Sequence, residues 1–325
     1  MKNRLFWIGL FAGLVAASGH VFAAQGDKYP QRPIRFIVPY SVGGTSDLVG
    51  RLVGAKLTEE LGQQLVVDNR GGAGGTIGSK LLAAANPDGY TILVQNIGLA
   101  VNETLRPKRG YVALRDLAPI SIVGFTPSVL IVNNDLPYKT IAQFVAAAKA
   151  EPGKIAFGSA GAGSSTHLSM AYFMTVAKIK LHHVPYKGGG PAVRDAIAGQ
   201  VQCVMVPIPT VFGHIKAKRL RPLGVSGGKR SPVLPDLPTI AEAGVPGYEF
   251  NTWYGLLAPA KTPKSIIARL NAAAVKGLKD PKLREKLLAT GMDPQPSTPE
   301  QFADLVRSET ARWRKVIEEA GIPKV

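Results

Sequence analysis

Two stretches of this chain combine residue types that suit an anion. The first is Tyr40-Ser-Val-Gly-Gly-Thr-Ser-Asp47, between the β-branched and aromatic run Ile34–Val38 and the amphipathic segment Leu48–Leu61. Pro39 ends the strand, because a proline cannot donate to a central ladder. Gly43 and Gly44 let the backbone turn through conformations closed to other residues. Thr45, Ser46 and Asp47 are N-cap and first-turn residues for the helix that follows. Strand, glycine turn and helix start aim N–H groups and a helix dipole at one point. The same pattern also serves as a tight βα turn with no ligand. The second stretch, Gly158-Ser-Ala-Gly-Ala-Gly-Ser-Ser-Thr-His167, repeats the design, and Ser164, Ser165 and Thr166 add hydroxyls. A third loop, Tyr186-Lys-Gly-Gly-Gly-Pro191, adds a cation.

Other chemistries fit less well. Gly224-Val-Ser226-Gly-Gly228 matches a nucleophile elbow, and a secreted serine hydrolase using Ser226 is the rival reading. That motif needs a helix after the serine, whereas Lys229-Arg-Ser-Pro-Val-Leu-Pro235 follows. Gly72-Ala-Gly-Gly-Thr-Ile-Gly78 lies near a dinucleotide fingerprint but has one residue too many. The next strand ends in Gln95-Asn96, where a ribose-binding acid belongs. His182 and His183 are adjacent in an expected strand and point to opposite faces. With His20, His167 and His214 scattered, no zinc spacing results. The sequence thus supports no catalytic residue, cofactor or metal. Trp253-Tyr254 reads either as a wall for a flat ligand or as a core pair near a hinge.

Length and composition set the frame. A chain of 325 residues, 46% hydrophobic and 19% charged, can carry two globular cores. Lys2 and Arg4, the apolar run Leu5–Ala17 and the small-residue site Val21-Phe22-Ala23 form a secretory signal peptide, residues 1–23, cleaved near Ala23. No later segment is apolar enough to cross a bilayer, so an exported, periplasmic protein is expected. Cys203 is the single cysteine, which rules out an internal disulfide, and its apolar surroundings suit a buried, inert thiol. Losing Lys2 and Arg4 lowers the formal charge from +17 to +15, which still favours anionic partners. The basic residues are scattered, without aromatic-rich or zinc-finger motifs, so a small organic anion is expected rather than nucleic acid.

The elements that position the loops alternate as βα units: strand Ile34–Val38, helix Leu48–Leu61, strand Gln64–Asp68, a helix ending near Asn86 and strand Thr91–Val94. This predicts a parallel, doubly wound sheet. The extended, proline-punctuated stretch Leu117–Asn133 reads as a crossover into a second block, where alternation restarts. There the strands are Ile155–Phe157, Leu181–Val184, Gln202–Val206 and Leu220–Val225, with helices beginning near Pro191 and Thr210. Residues 256–325 read as helical, with Thr262-Pro263, Asp280-Pro281 and Thr298-Pro299 opening three helices. The expectation is an α/β fold of two doubly wound lobes with a hinge and an inter-lobe cleft. Lobe 1 comprises 24–125 plus 248–325, and lobe 2 comprises 126–247.

Several of these motifs together resemble a known family. Arg32-Pro33-Ile34, Val38-Pro39-Tyr40, Gly43-Gly44-Thr45-Ser46-Asp47, Asn69-Arg70-Gly71-Gly72-Ala73-Gly74-Gly75 and Asn86-Pro87-Asp88-Gly89-Tyr90 resemble the Bug-type solute receptors of tripartite tricarboxylate transporters. Val184-Pro185-Tyr186-Lys187-Gly188, Leu234-Pro235-Asp236-Leu237-Pro238-Thr239 and Trp253-Tyr254-Gly255 do so too. The resemblance implies a periplasmic, non-catalytic, monomeric receptor of type II-like architecture, closing on a carboxylate and serving membrane transporter subunits. It assigns ligand binding to Tyr40, Val42, Gly43, Gly44, Thr45 and Asp47 in the first loop. The second loop would supply Ala160, Gly161, Ser164, Thr166 and His167, with Gln95, Asn96, Gly188 and Pro191 lining the cleft. Many members carry acids in and after the strand that here reads Gln202-Cys-Val-Met-Val206-Pro207. Without them, a ligand lacking an ammonium group is expected, either a dicarboxylate or an aromatic acid.

Overall fold

The computed structural model describes residues 29–325, so the expected leader, residues 1–23, lies outside the described residues. β1 (Ile34–Val38) is almost wholly buried, as a run of β-branched and aromatic residues between two helical layers must be. It pairs in parallel with β2 (Leu65–Asn69) and β3 (Thr91–Asn96). α1 (Thr45–Leu61), α2 (Thr76–Ala83), α3 (Gly98–Leu105) and the short α4 (Ala113–Asp116) complete the first block. α1 starts three residues earlier than the sequence pattern predicts, and α2 stops short of Asn86.

β4 (Leu117–Val132) is the spine of the molecule. From Leu117 to Pro127 it pairs antiparallel with β9 (Asn251–Pro259), which in turn pairs with β3. From Ser128 to Val132 it pairs instead with β7 (Cys203–Pro207) and β8 (Arg221–Val225). Beyond β7 lie β5 (Ala156–Ser159) and β6 (His182–Pro185), both parallel. One strand therefore belongs to two sheets, and the change of partners falls at Pro127/Ser128. Helices α5 (Ile141–Ala150), α6 (Ser165–Ala177), α7 (Gly189–Ile197) and α8 (Ile208–Lys216) pack on the second sheet. This is a two-lobed, doubly wound α/β architecture with a hinge.

The C-terminal region corrects the helical expectation. β9 sits at the centre of the first sheet, with Trp253 and Tyr254 both buried, and the two-residue β10 (Asp293–Pro294) pairs with β4. The helices are α9 (Lys264–Lys279), α10 (Pro281–Leu288) and α11 (Pro299–Glu319). Asp280 and Thr298 cap α10 and α11 as their spacing predicts, and Thr298 forms a full capping box with Gln301. At α9 the cap is displaced by one residue: Pro263 is the N-cap, and Thr262 makes no cap. α11 buries Phe302, Val306, Trp313 and Ile317 along one stripe. The Phe302 ring lies where a Cβ on Gly255 of β9 would have to stand, so this helix seats on the sheet only because that position is glycine.

The hinge is tied by one side chain. Ser226, fully buried after β8, accepts from the Ser128 N–H at 2.7 Å and donates to the Phe250 carbonyl at 2.5 Å. Both chain crossings between lobes are held through this hydroxyl. The nucleophile-elbow pattern is thus a structural staple, with its proton committed to a carbonyl rather than to a base.

Candidate functional site

Four helices begin at one cavity between the lobes. Its walls include Thr45 and Ser46 from the first turn of α1, and Ser165 and Thr166 from that of α6. Gly189 opens α7, while Pro207 and Thr210 come from the start of α8. Tyr40, Gly44, Asn96, Ala160 and Tyr254 complete the lining. The residues at the N-caps of α1, α7 and α8 are Gly44, Gly188 and Pro207, none of which makes a side-chain cap. No side-chain cap takes their first-turn N–H groups; on α1 those of Thr45 and Asp47 go to the Thr210 hydroxyl and the Gly44 carbonyl, and Pro209 on α8 has none. Ser164 alone caps its helix, accepting from the His167 N–H at 3.2 Å.

No lining residue is charged. Burial raises the phenols of Tyr40 and Tyr254 well above the usual tyrosine range, so both remain neutral donors. The cavity's polarity therefore comes from hydroxyls, an amide and four positive helix ends. That arrangement stabilises negative charge and offers no counter-charge to an ammonium.

The lobes meet directly around the cavity. The Ser41 N–H donates to the Lys187 carbonyl at 3.0 Å, and the Thr45 N–H to the Thr210 hydroxyl at 3.0 Å. On the far side, Asn102 reaches the Gly163 carbonyl at 3.0 Å and Arg106 the Ala162 carbonyl at 3.1 Å. Gly74, at φ +63°, lies so close to the second loop that a Cβ would come within 2.5 Å of the Ala162 oxygen. The cavity between the walls has a volume of about 20 Å³, little more than one water needs.

Of the residues singled out from sequence, Tyr40, Gly44, Thr45, Asn96, Ala160 and Thr166 line this cavity. The others lie around it and build its loops. The Asp47 carboxylate accepts from the Gly43 N–H and from Asn69, both at 3.1 Å, and pairs with Arg51, fixing the first loop. Gln95 spends its amide on Ser79, Gly75 and the Asn96 N–H. Gly161 packs against Gly74, and Gly188 against Ser41, each across the lobe contact. Ser164 is occupied as a cap, and Pro191 sits half-buried in the first turn of α7. Val42 is 54% exposed, and Gly43 faces a neighbouring pocket. Thr210, Ser46, Ser165, Gly189, Pro207 and Tyr254 line the cavity without being on that roster. Ser46, Ser165 and Gly189 lie within the loops the sequence marks. Thr210 has no glycine or hydroxyl run around it, and only the helix start near it is legible.

His167 turns away from this lining into a histidine stack. Its ring lies 4.5 Å from that of His183, which stacks on Phe157 at 4.7 Å and bonds the Ser159 hydroxyl at 2.6 Å. Burial, then the neighbouring His183, hold His167 down at about 4; burial, then His182, do the same for His183. In the unfolded chain both titrate near 6.5. Below that pH the unfolded chain takes up protons that the folded chain refuses. The stability is therefore complete above about pH 6.5 and is lost as pH falls toward about 4. Thermal melts between these limits should show Tm falling with pH, and the His167→Gln/His183→Gln pair should flatten the slope. An unchanged slope in the double variant would rule out the pair as its source.

Comparison with known proteins agrees with this architecture. The chain is 37% identical to the protein BugT of Bordetella pertussis over 323 residues, which is 99% of this chain and 98% of that one. The structure of Rpa4515 with adipate, from R. palustris, superposes with a TM-score of 0.88 at 36% identity, covering 91% of this chain and all (100%) of that one. MatC from Rhodopseudomonas palustris, with bound malate, gives a TM-score of 0.86 at 32% identity over 89% of this chain and 100% of that one. The model of the tripartite tricarboxylate transporter family receptor matches residues 49–322. With a hinge, an uncharged inter-lobe cavity and this match over most of its length, the chain belongs to that family of solute receptors, which bind rather than transform their ligands.

Proposed function

We propose that this protein is a periplasmic receptor that captures a small organic carboxylate, a dicarboxylate or an aromatic acid, in the inter-lobe cavity. It then delivers the ligand to a tripartite tricarboxylate-type membrane transporter. The observation that carries this reading is the convergence of four helix N-termini, three without side-chain caps, on a cavity with no charged lining. The bound adipate and malate of the two neighbouring structures, both dicarboxylates, support the ligand class. Tyr40, Gly44, Thr45, Asn96, Ala160 and Thr166 are the proposed contacts, joined by Ser46, Ser165, Gly189, Thr210 and Tyr254.

The proposed lobes are 24–125 with 248–325, and 126–247, supported by the change of partner along β4. Tyr248 bonds Ser169 of α6 at 2.8 Å, which favours placing the second crossing nearer Asn251. The described residues contain no helix long and apolar enough to cross a membrane. The reading includes a leader removed near Ala23 and a mature monomer acting in the periplasm.

Thermal-shift measurement on the mature chain tests the ligand class. A carboxylate present at a hundred times its Kd should add about 2.7 kcal/mol, a rise of several degrees in Tm. Adipate, malate, succinate and benzoate form the panel, with aspartate and glutamate beside them. At least one simple acid should raise Tm more than either amino acid. If the amino acids alone stabilise the protein, the uncharged lining has been misread.

A further inference from the structure

A second pocket adjoins the first. Gly43, Gly190, Val193, Arg194, Ile197, Thr210, His214 and Arg219 line it beside α7 and α8, with a cavity volume of about 400 Å³. The inner cavity has about 20 Å³. Gly43 and Gly190 are chain neighbours of Gly44 and Gly189 in the inner lining, and Thr210 belongs to both pockets. The partition is therefore thin. It consists of the Gly43–Gly190 contact and the Thr45–Thr210 pair, whose hydroxyls lie 2.7 Å apart. Each half of that partition comes from a different lobe. Parting the lobes must break it and join the two pockets.

The electrostatics of the two pockets differ. The inner one is uncharged, while the outer one presents Arg194 and Arg219, neither of which forms an ion pair among the described residues. Burial, then the nearby Arg219, lower the pKa of His214, so the two guanidiniums carry the charge at neutral pH. Guanidinium forks suit carboxylates and other oxyanions. We infer that this outer pocket is an anion-capture site, which holds a carboxylate at Arg194 and Arg219 and passes it inward when the Thr45–Thr210 partition opens. The hand-over rests on the receptor reading above, whereas the oxyanion site itself does not.

Two measurements on the mature chain separate these claims. The first is titration with inorganic phosphate at low salt, followed by amide resonances. Gly190 and Val193 should shift saturably in the wild type and not in the Arg194→Gln/Arg219→Gln variant. Absence of a saturable shift, or its persistence in the variant, overturns the site whether or not any carboxylate binds inside. The second is stopped-flow association of the carboxylate that raises Tm most. The same variant should bind about tenfold more slowly with an unchanged off-rate. The Lys282→Gln/Lys286→Gln control on α10 makes the same charge change elsewhere and should stay within twofold. An equal fall in both variants would assign the effect to net charge and overturn the hand-over. If no carboxylate binds the wild type, the receptor reading fails, and the phosphate titration still decides the outer site.

Discussion

Replacing Gly190 by alanine should cost this receptor most of its ligand affinity while leaving its fold intact. Gly190 is the second residue of α7, where alanine is about 1 kcal/mol better than glycine in helix propensity. Its φ lies outside the left-handed region, so the new side chain brings no backbone strain. The three atoms nearest to the added Cβ all belong to the first loop, not to its own lobe. The obstacle stands across the cleft: a Cβ at this position falls 2.6 Å from the Val42 carbonyl oxygen and 2.9 Å from the Gly43 carbonyl carbon. Both are backbone atoms of the first loop, which Asp47 and Asn69 hold in place, so they cannot swing aside as a flexible side chain could. The methyl group acts as a wedge present only in the closed arrangement. Ligand binding must then supply the energy of forcing the wedge shut or proceed without full closure.

A weakening between tenfold and a hundredfold corresponds to about 1.4–2.7 kcal/mol withdrawn from the closed state. Calorimetry with the carboxylate that gives the largest thermal shift would measure it, with the melting temperature of the ligand-free protein as the fold check. Gly213→Ala on α8 is the matched control, since a Cβ there meets nothing within 4 Å. Wild-type affinity in the Gly190→Ala variant would mean that closure over ligand does not bring these two backbones together.

The parts of this design visible in the sequence are those set by local chemistry. β1 ends at Val38 because Pro39 follows, and Asp280 and Thr298 announce their helices three residues ahead of the bonds they accept. The two hydroxyl-bearing loops are legible for the same reason: glycine, serine and threonine before an amphipathic run have few other uses. What local chemistry does not specify is partnership. Asn251–Pro259 is a central strand, yet its sequence, Asn-Thr-Trp-Tyr-Gly-Leu-Leu-Ala-Pro, shows no clean alternation because both of its faces are buried. Thr210 likewise looks like any residue in the first turn of a helix. Its place in the cavity depends on α8 arriving opposite α1, a contact spanning 165 positions of chain. Asp47 illustrates the converse. Its spacing marks the right loop, but its carboxylate is bonded to Gly43, Asn69 and Arg51 and is not part of the cavity lining.

Ser226→Ala should destabilise the protein without abolishing any turnover, because there is none to abolish. The hydroxyl is fully buried, and both of its roles are filled: it accepts from the Ser128 N–H and donates to the Phe250 carbonyl. Removing it strands a buried donor and a buried acceptor, at about 1–3 kcal/mol each. The backbone bonds that Ser226 itself makes to Ser128 and Phe250, both at 2.8 Å, would remain, so the hinge should loosen rather than unfold. For a protein of this size the loss translates into a fall in Tm on the order of 10 °C. Ser226→Thr retains the hydroxyl and isolates its role. If the added methyl is tolerated, the melting temperature should recover part of the loss.

A hydrolase would behave in the opposite way, with p-nitrophenyl ester cleavage present in the wild type, absent in Ser226→Ala, and stability barely changed. The two readings therefore diverge on both axes of one experiment. A nucleophile must be reachable by substrate and hydrogen-bonded to a base, whereas Ser226 is sealed from solvent and bonded to two backbone groups. Its burial follows from its position where both chain crossings meet, since a hinge that bends repeatedly about two strands needs those strands fixed to each other at the pivot. A wild-type Tm in Ser226→Ala would show that the staple bears no load and would reopen the question of what this serine does.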